Sequence, residues 1–417
     1  MQRGLKKIAL AIVSLGLLWG LILGSVVSAK ATEERVVRIG LPSIFTGAVA
    51  SSTAPMCFGY VDAAKWATEQ GGIGGIPVEV VWHEIGKAPM AQIVPAYKKL
   101  QMAGVVALVV VATCHGEVLL PRLQRDEMPL FMTDPFTAGC VSEPPWIFGM
   151  EPLWSSTFAT AVKWFNERWT EPRPMRVAGI CYNNPEGLST FTDGYGTKAI
   201  EEMGVDFIGH EVIPMLGTLD SSVEWLRLAG EKADLVFVMA YGSSLNTVIK
   251  DCDRLEIQKK GIKVCGSTAV ADWAAYSVVG KDLEGWYGVC PISHELLRIS
   301  PNIKALEEAG VKRGYEPNRL PFFYVGTWHT MMVLCEGIRL AMEKVGYENL
   351  TGRPIRNGLE TVKGFDSGLN IPPADLTSPH RPYWSAGIWI EQFRDGEFVT
   401  VSGKDCIEYI QDLSVVM

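Results

Sequence analysis

The stretch "ALVVVATCHGEV" (Ala107 to Val118) decides how the chain is read. Five of its first six residues are small or β-branched and apolar, the composition of a strand buried on both faces. The chain then breaks into Thr113-Cys114-His115-Gly116, so polar groups appear where an apolar strand gives out. Cys114 and His115 raise three chemistries: a thiol nucleophile, a metal ligand, or the floor of a pocket that only binds.

Working outward, the same alternation recurs on both sides. "VVRIGLPSI" (36–44), "PVEVVWHE" (77–84) and "MPLFMTD" (128–134) read as strands. Between them, 54–72, 89–104 and 116–127 read as amphipathic helices. Short apolar strands alternating with helices imply a parallel sheet with right-handed crossovers. After "WIFGMEP" (146–152) the rhythm restarts: a helix over 154–169, the proline-bearing "TEPRPM" (170–175), the strand "RVAGICY" (176–182), and further pairs through "EGWYGVCP". A long helix is expected from about 321 to 345, and its charged residues exclude a membrane span. "YWSAGIWIEQF" and "GEFVTVSG" near the end alternate as antiparallel strands. The chain thus holds two successive α/β units that change over near residue 150.

Length and charge bound the rest. A chain of 417 residues predicts two domains, and 48% hydrophobic with 20% charged residues is globular. A net charge of −8 offers no basic face for nucleic acid. Arg3, Lys6 and Lys7 precede an uncharged run from Ile8 to Ala29, with small residues for cleavage at 27–31. Residues 1–31 therefore read as a secretory signal, and an uncleaved membrane anchor is the alternative. Without them four positive charges go and the net charge becomes −12. All nine cysteines lie beyond that segment, an odd number that leaves at least one unpaired. No C-x-x-C occurs and no zinc is expected. "GGIGG" (71–75) mimics a phosphate loop, but it follows a helix and precedes a strand, so it reads as a helix cap and turn.

In parallel sheets ligands bind beyond the carboxyl ends of the strands. The candidate loops are "FTG" (45–47), "TCHG" (113–116), "DPFTAG" (134–139), "YNNPEG" (182–187), "AYGSS" (240–244) and "GSTAVADW" (266–273). They carry hydroxyls, aromatics and free backbone groups, few carboxylates and no basic residue.

"VRIGLPSIFTG", "TEQGGIGGIPVEVVWHE" and "KKLQMAGVVALVVVATCHGEVLLPRLQRDEMPLFMTDP" together resemble the type I periplasmic binding proteins, and within them the leucine/isoleucine/valine-binding branch of ABC importers. The likeness extends through "RVAGICYNNPEG", "ADLVFVMAYG" and "DLTSPHRPYW…FRDGEFV". It implies two Rossmann-like α/β lobes that close on a ligand, with the chain crossing near 150, 291 and 368. One lobe is then 32–150 with 291–368, the other 151–290 with 369–417. It also implies a periplasmic, monomeric solute receptor that serves a permease in the inner membrane, with no cofactor, no metal and no catalysis. The ligand expected is a small polar metabolite: an amino acid, an amide or a small carboxylate.

In that family the loop at Thr113, Cys114 and His115 binds the ligand's α-carboxylate through a hydroxyl and backbone amides at a helix start. The loop at Phe136 and Thr137 supplies a further hydroxyl and a carbonyl. Phe45, Tyr182 and Tyr241 stand at the remaining strand-end loops as cleft walls. The departures bear on charge. Thr268 stands where an acid usually meets the ligand's ammonium, with Asp272 the nearby carboxylate. Glu186 replaces a tyrosine, and His115 replaces a serine with an imidazole whose charge is adjustable near neutral pH. Cys114 and Cys140, on consecutive strand-end loops, are a candidate disulfide pair. A hydrolase at Cys114/His115 and a membrane-anchored sensor are the rival functions.

Overall fold

The computed structural model describes residues 35–409, apart from 48, 88, 216, 378–382 and 386. The expected signal segment, 1–31, lies outside the described residues. From Val37 onward the chain is one unit built on two sheets.

The first sheet contains β1 (Val37–Ser43), β2 (Val78–Glu84), β3 (Ala107–Val110), β4 (Leu130–Met132) and β5 (Ile147–Gly149). Its order is β2-β1-β3-β4-β5 and every pair is parallel. All four residues of β3 are fully buried, as a strand covered on both faces requires. The helices that return the chain are α1 (Ala50–Glu69), α2 (Pro89–Met102) and α3 (Thr113–Asp126).

The second sheet holds β6 (Arg176–Tyr182), β7 (Asp206–Ile213), β8 (Leu235–Met239), β9 (Lys263–Gly266) and β10 (Tyr287–Cys290), all parallel. Its helices are α4 (Trp154–Asn166), α5 (Pro185–Thr192), α6 (Tyr195–Glu202), α7 (Ser222–Gly230), α8 (Gly242–Arg254) and α9 (Trp273–Val279). Next come α10 (His294–Arg298), α11 (Ile303–Lys312), α12 (Phe322–Val345) and α13 (Gly352–Leu359). The chain then adds β11 (Gly387–Arg394), β12 (Glu397–Thr400) and β13 (Ile407–Glu408) to this sheet. The order is β12-β11-β10-β9-β8-β6-β7, and β11 runs antiparallel to β10, β12 and β13.

α12 is drawn back onto the first sheet's layer. A Cβ on Gly59 of α1 would lie 2.0 Å from the Thr327 hydroxyl and 2.3 Å from the Tyr324 carbonyl, so only glycine allows this approach. Beside it, Asp62 accepts from Arg313 at 2.6 and 2.9 Å and from the Tyr324 hydroxyl at 3.1 Å. Where the chain leaves the first sheet, it runs beside a later passage: Gly149 bridges Tyr383, and Ser385 N–H donates to Met150 O at 2.8 Å.

Two sequence expectations are corrected. The helix expected to begin at 116 begins at Thr113, because Ala112 is still extended (φ −160°, ψ 137°) and the chain turns directly from it. "TCHG" is therefore the first turn of α3 and not a loop, with His115 N–H turned back to Ala112 O at 3.2 Å and Cys114 N–H left for a partner outside the helix. The Cys114–Cys140 disulfide is not formed, and all nine cysteines are free thiols. Cys140 instead points its thiol at Thr113 O (3.5 Å).

Two buried polar groups at the sheet ends have measurable consequences. The Tyr182 hydroxyl both accepts from Tyr241 N–H and donates to Tyr241 O, tying the end of β6 to the end of β8. Tyr182→Phe leaves the Tyr241 N–H without its partner, while Tyr241 O keeps Leu245 N–H, and a stability loss of about 1–3 kcal/mol is expected in urea denaturation. Glu151, just past β5, is buried and accepts from the Tyr409 hydroxyl at 2.8 Å. Burial pushes its carboxyl up to about 8 from 4.5. The folded chain then holds a proton that the unfolded chain releases, so this stabilisation is complete below pH 4.5 and is lost as pH rises through 8. Glu151→Gln, which keeps an acceptor for Tyr409, is expected to flatten the decline in stability between pH 5 and pH 8. An unchanged slope in denaturation series at both ends would show Glu151 ionised in the fold.

Candidate functional site

The carboxyl ends of β1, β3 and β4, those of β6 and β8, and the first turns of α1, α3, α5 and α12 meet around a cavity of about 430 Å³. Its walls are mainly apolar: Ile44, Val49, Met56, Met90, Val111, Met215 and Phe323. Four candidate residues from the sequence line it: Cys114, His115, Glu186 and Tyr241.

Glu186 is placed by its own helix start. The Asn184 side chain caps α5 by accepting from Gly187 N–H at 2.8 Å, and Pro185 sets the first helical turn. The Glu186 carboxylate then reaches over the cavity and accepts from Cys114 N–H at 2.8 Å and Asn184 Nδ2 at 3.4 Å. It lies at the start of its own helix and at the start of α3, so the Cys114 amide and two helix dipoles favour its negative charge. Burial works against that and raises its pKa, and the Cys114 amide opposes the rise.

Three other polar groups reach the cavity wall without hydrogen-bond partners among the described residues: Asp134 Oδ1, His115 Nδ1 and the Tyr241 hydroxyl. Asp134 is 6% exposed, and burial with the nearby Glu186 and Glu151 charges holds its carboxyl well above the usual range. His115 is 1% exposed, and burial lowers its pKa to about 4. The expectation of a charge adjustable near neutral pH is thereby corrected: desolvation keeps this imidazole neutral there. Lys87 is the one cationic side chain among the described lining residues, and it is exposed at the rim.

The other seven candidates do not line this cavity. The Phe45 amide donates to the Glu84 carboxylate at 3.1 Å, and its ring rests on Phe58 and Trp82. Thr113 spends its hydroxyl on Pro135 O at 2.8 Å, and Thr137 spends its own on Glu117. Phe136 packs under Gly149, where a Cβ would meet its ring at 2.3 Å. Tyr182 is committed to the Tyr241 backbone, and Thr268 is buried at 2% exposure. Asp272, the expected stand-in for an ammonium partner, caps two helices instead. It accepts from Ala274 N–H at 2.8 Å and from Phe322 N–H at 3.0 Å, drawing α9 and α12 together. Asp134 and Phe323 were not singled out by sequence. Asp134 closes β4 at its carboxyl end, which is the signal that marks it; Phe323 opens a long helix and carries none.

The site's chemistry suits binding. Burial and the Glu186 charge raise the Cys114 thiol well above its ordinary value, the reverse of what a thiolate nucleophile needs. Among the described residues no three His, Cys, Asp or Glu side chains gather to hold a metal ion.

The sequence profile of the periplasmic binding proteins matches residues 36–395. A branched-chain amino acid ABC transporter protein from Thermus thermophilus, solved with bound valine, superposes with a TM-score of 0.77 at 18% identity. The match covers 91% of this chain and 98% of that one. A fatty acid ABC transporter substrate-binding protein from Thermomonospora curvata gives 0.75 at 18%, over 91% and 94%. A solute-binding protein from Rhodopseudomonas palustris HaA2 in complex with p-hydroxybenzoic acid gives 0.73 at 16%, over 90% and 97%. No curated protein matches by sequence. At these identities the neighbours show the fold alone, and the profile match over most of the chain shows the family. Two α/β lobes on parallel sheets, with a solute-sized cavity between them, are its architecture, and the chain belongs to the type I periplasmic binding protein family.

Proposed function

We propose that this protein is the extracytoplasmic solute receptor of an ABC importer, taking one small solute into the cavity and presenting the closed lobes to a permease. The observation that carries this is the cavity itself: apolar walls with a few convergent polar atoms, three of them without a partner, is the form of a small-molecule site. A solute that supplies those partners is bound more tightly by the closed arrangement than by an open one, which is the condition for ligand-driven closure. The solute has an apolar body and one polar end, a description that covers apolar amino acids and aromatic acids. The proteins solved with valine and with p-hydroxybenzoic acid share the fold and accord with it. We assign 32–150 with 291–368 to one lobe and 151–290 with 369–417 to the other; β1–β5, and the packing of α12 on α1, support the division. Residues 1–31 act as the export signal, and no helix among the described residues is long and apolar enough to cross a membrane. The receptor works as a monomer.

A thermal-shift panel of amino acids, amides, small organic acids and amines tests the proposal. At 100 times its dissociation constant a ligand stabilises by about 2.7 kcal/mol. Silence from a folded protein across the panel would sink it. For a ligand so identified, His115→Ala is expected to weaken binding about tenfold, the ~1.4 kcal/mol of one lost hydrogen bond. Because the imidazole is neutral down to about pH 4, that loss should be equal at pH 6 and pH 8 in calorimetric titrations. A loss seen only at pH 6 would show that the imidazolium is the binding form.

A further inference from the structure

This inference rests on the cavity being a solute site and concerns the class of solute. The first turn of α3 is where the cavity could receive an anion, yet its His115 N–H is turned back to Ala112 O at 3.2 Å and its Cys114 N–H is held by the Glu186 carboxylate at 2.8 Å. A ligand carboxylate arriving there meets a carboxylate, and displacing Glu186 would strand a charge on a side chain that is 4% exposed. Asp134 stands on the same wall with Oδ1 unpartnered among the described residues, and the Tyr241 hydroxyl oxygen is likewise unpaired. The cavity therefore offers acceptors and two acids, while the cation on its lining, Lys87, lies out at the exposed rim.

We propose that the solute is an organic amine, bound as its ammonium between Asp134 and Glu186, with no carboxylate of its own. An ammonium brings three donors, matched here by the Asp134 and Glu186 carboxylates and the Tyr241 hydroxyl oxygen. It supplies the positive charge whose absence makes two neighbouring buried acids unfavourable. Its hydrocarbon part lies against Met56, Val111, Met215 and Phe323. An α-amino acid fits the acids with its ammonium but must place its carboxylate near them as well. Burial raises both acids when the cavity is empty, the Glu186 charge adds to the rise at Asp134, and a bound cation opposes that shift.

The test uses ligands matched in skeleton and differing in charge: 2-phenylethylamine, 2-phenylethanol, 3-phenylpropionate and phenylalanine, with the isopentylamine, isopentanol, 4-methylpentanoate and leucine set beside them. In calorimetric titrations of the full chain, one amine is expected to bind at least tenfold more tightly than its alcohol, acid and amino acid. Asp134→Asn should lower that affinity at least tenfold. Glu186→Ala frees Cys114 N–H and should turn the preference toward the carboxylate of the same skeleton. A wild-type protein that prefers the acid or the amino acid, or that takes alcohol and amine equally, overturns the amine assignment and leaves the solute-receptor reading standing. Silence with both sets, when another solute class shifts the melting temperature, also overturns the amine assignment alone. Silence across every class overturns both. Should Asp134→Asn fail to fold, the wild-type ratio of amine to alcohol still decides.

Discussion

A parallel sheet obliges each strand to be followed by a crossover that carries the chain back to the other end, and the crossovers here are helices. All strand carboxyl ends and all helix amino ends then collect on one edge of the sheet, each bringing amides that the helix itself cannot satisfy. This protein has two such sheets with their edges facing one another, and everything the site contains comes from that meeting. His115 and Cys114 arrive on the first turn of α3, Glu186 on that of α5 and Phe323 on that of α12. Asp134 and Tyr241 arrive at the ends of β4 and β8.

The most informative contact across the gap is Glu186 on the Cys114 amide. It uses protein atoms where a bound anion would otherwise stand, and it draws the two lobes together without a solute. The same carboxylate adds to what burial does to its surroundings: burial first, and then the Glu186 charge, raise both the Cys114 thiol and the Asp134 carboxyl above their usual ranges. One buried glutamate thus bears on the charge of a cavity whose walls are mainly apolar.

Three polar candidates that do not line the cavity, Thr113, Tyr182 and Asp272, share one reason. A buried hydroxyl or carboxylate satisfies itself with the nearest free backbone group. Thr113 took Pro135 O, Tyr182 took the backbone of Tyr241, and Asp272 took the amides of Ala274 and Phe322. Each of these residues stands at a strand end or a helix start, as expected, yet spends its polar atoms on holding the frame. The residues that remain free to meet a solute are those whose neighbours had nothing left to offer.

The sequence by itself determined the two α/β units, the parallel strands, the antiparallel end and the family, because these follow from local apolar periodicity and the order of elements. It also placed Cys114, His115, Glu186 and Tyr241 at strand ends, and all four line the cavity. What it left open is which polar atoms are spent and what charge each buried group carries. Those are settled by partners dozens of residues away: Cys114 and Glu186 are 72 apart, Tyr182 and Tyr241 are 59, Asp272 and Phe322 are 50. Desolvation and hydrogen-bond satisfaction are properties of the assembled interior, and only the tertiary structure brings the groups close enough to decide them.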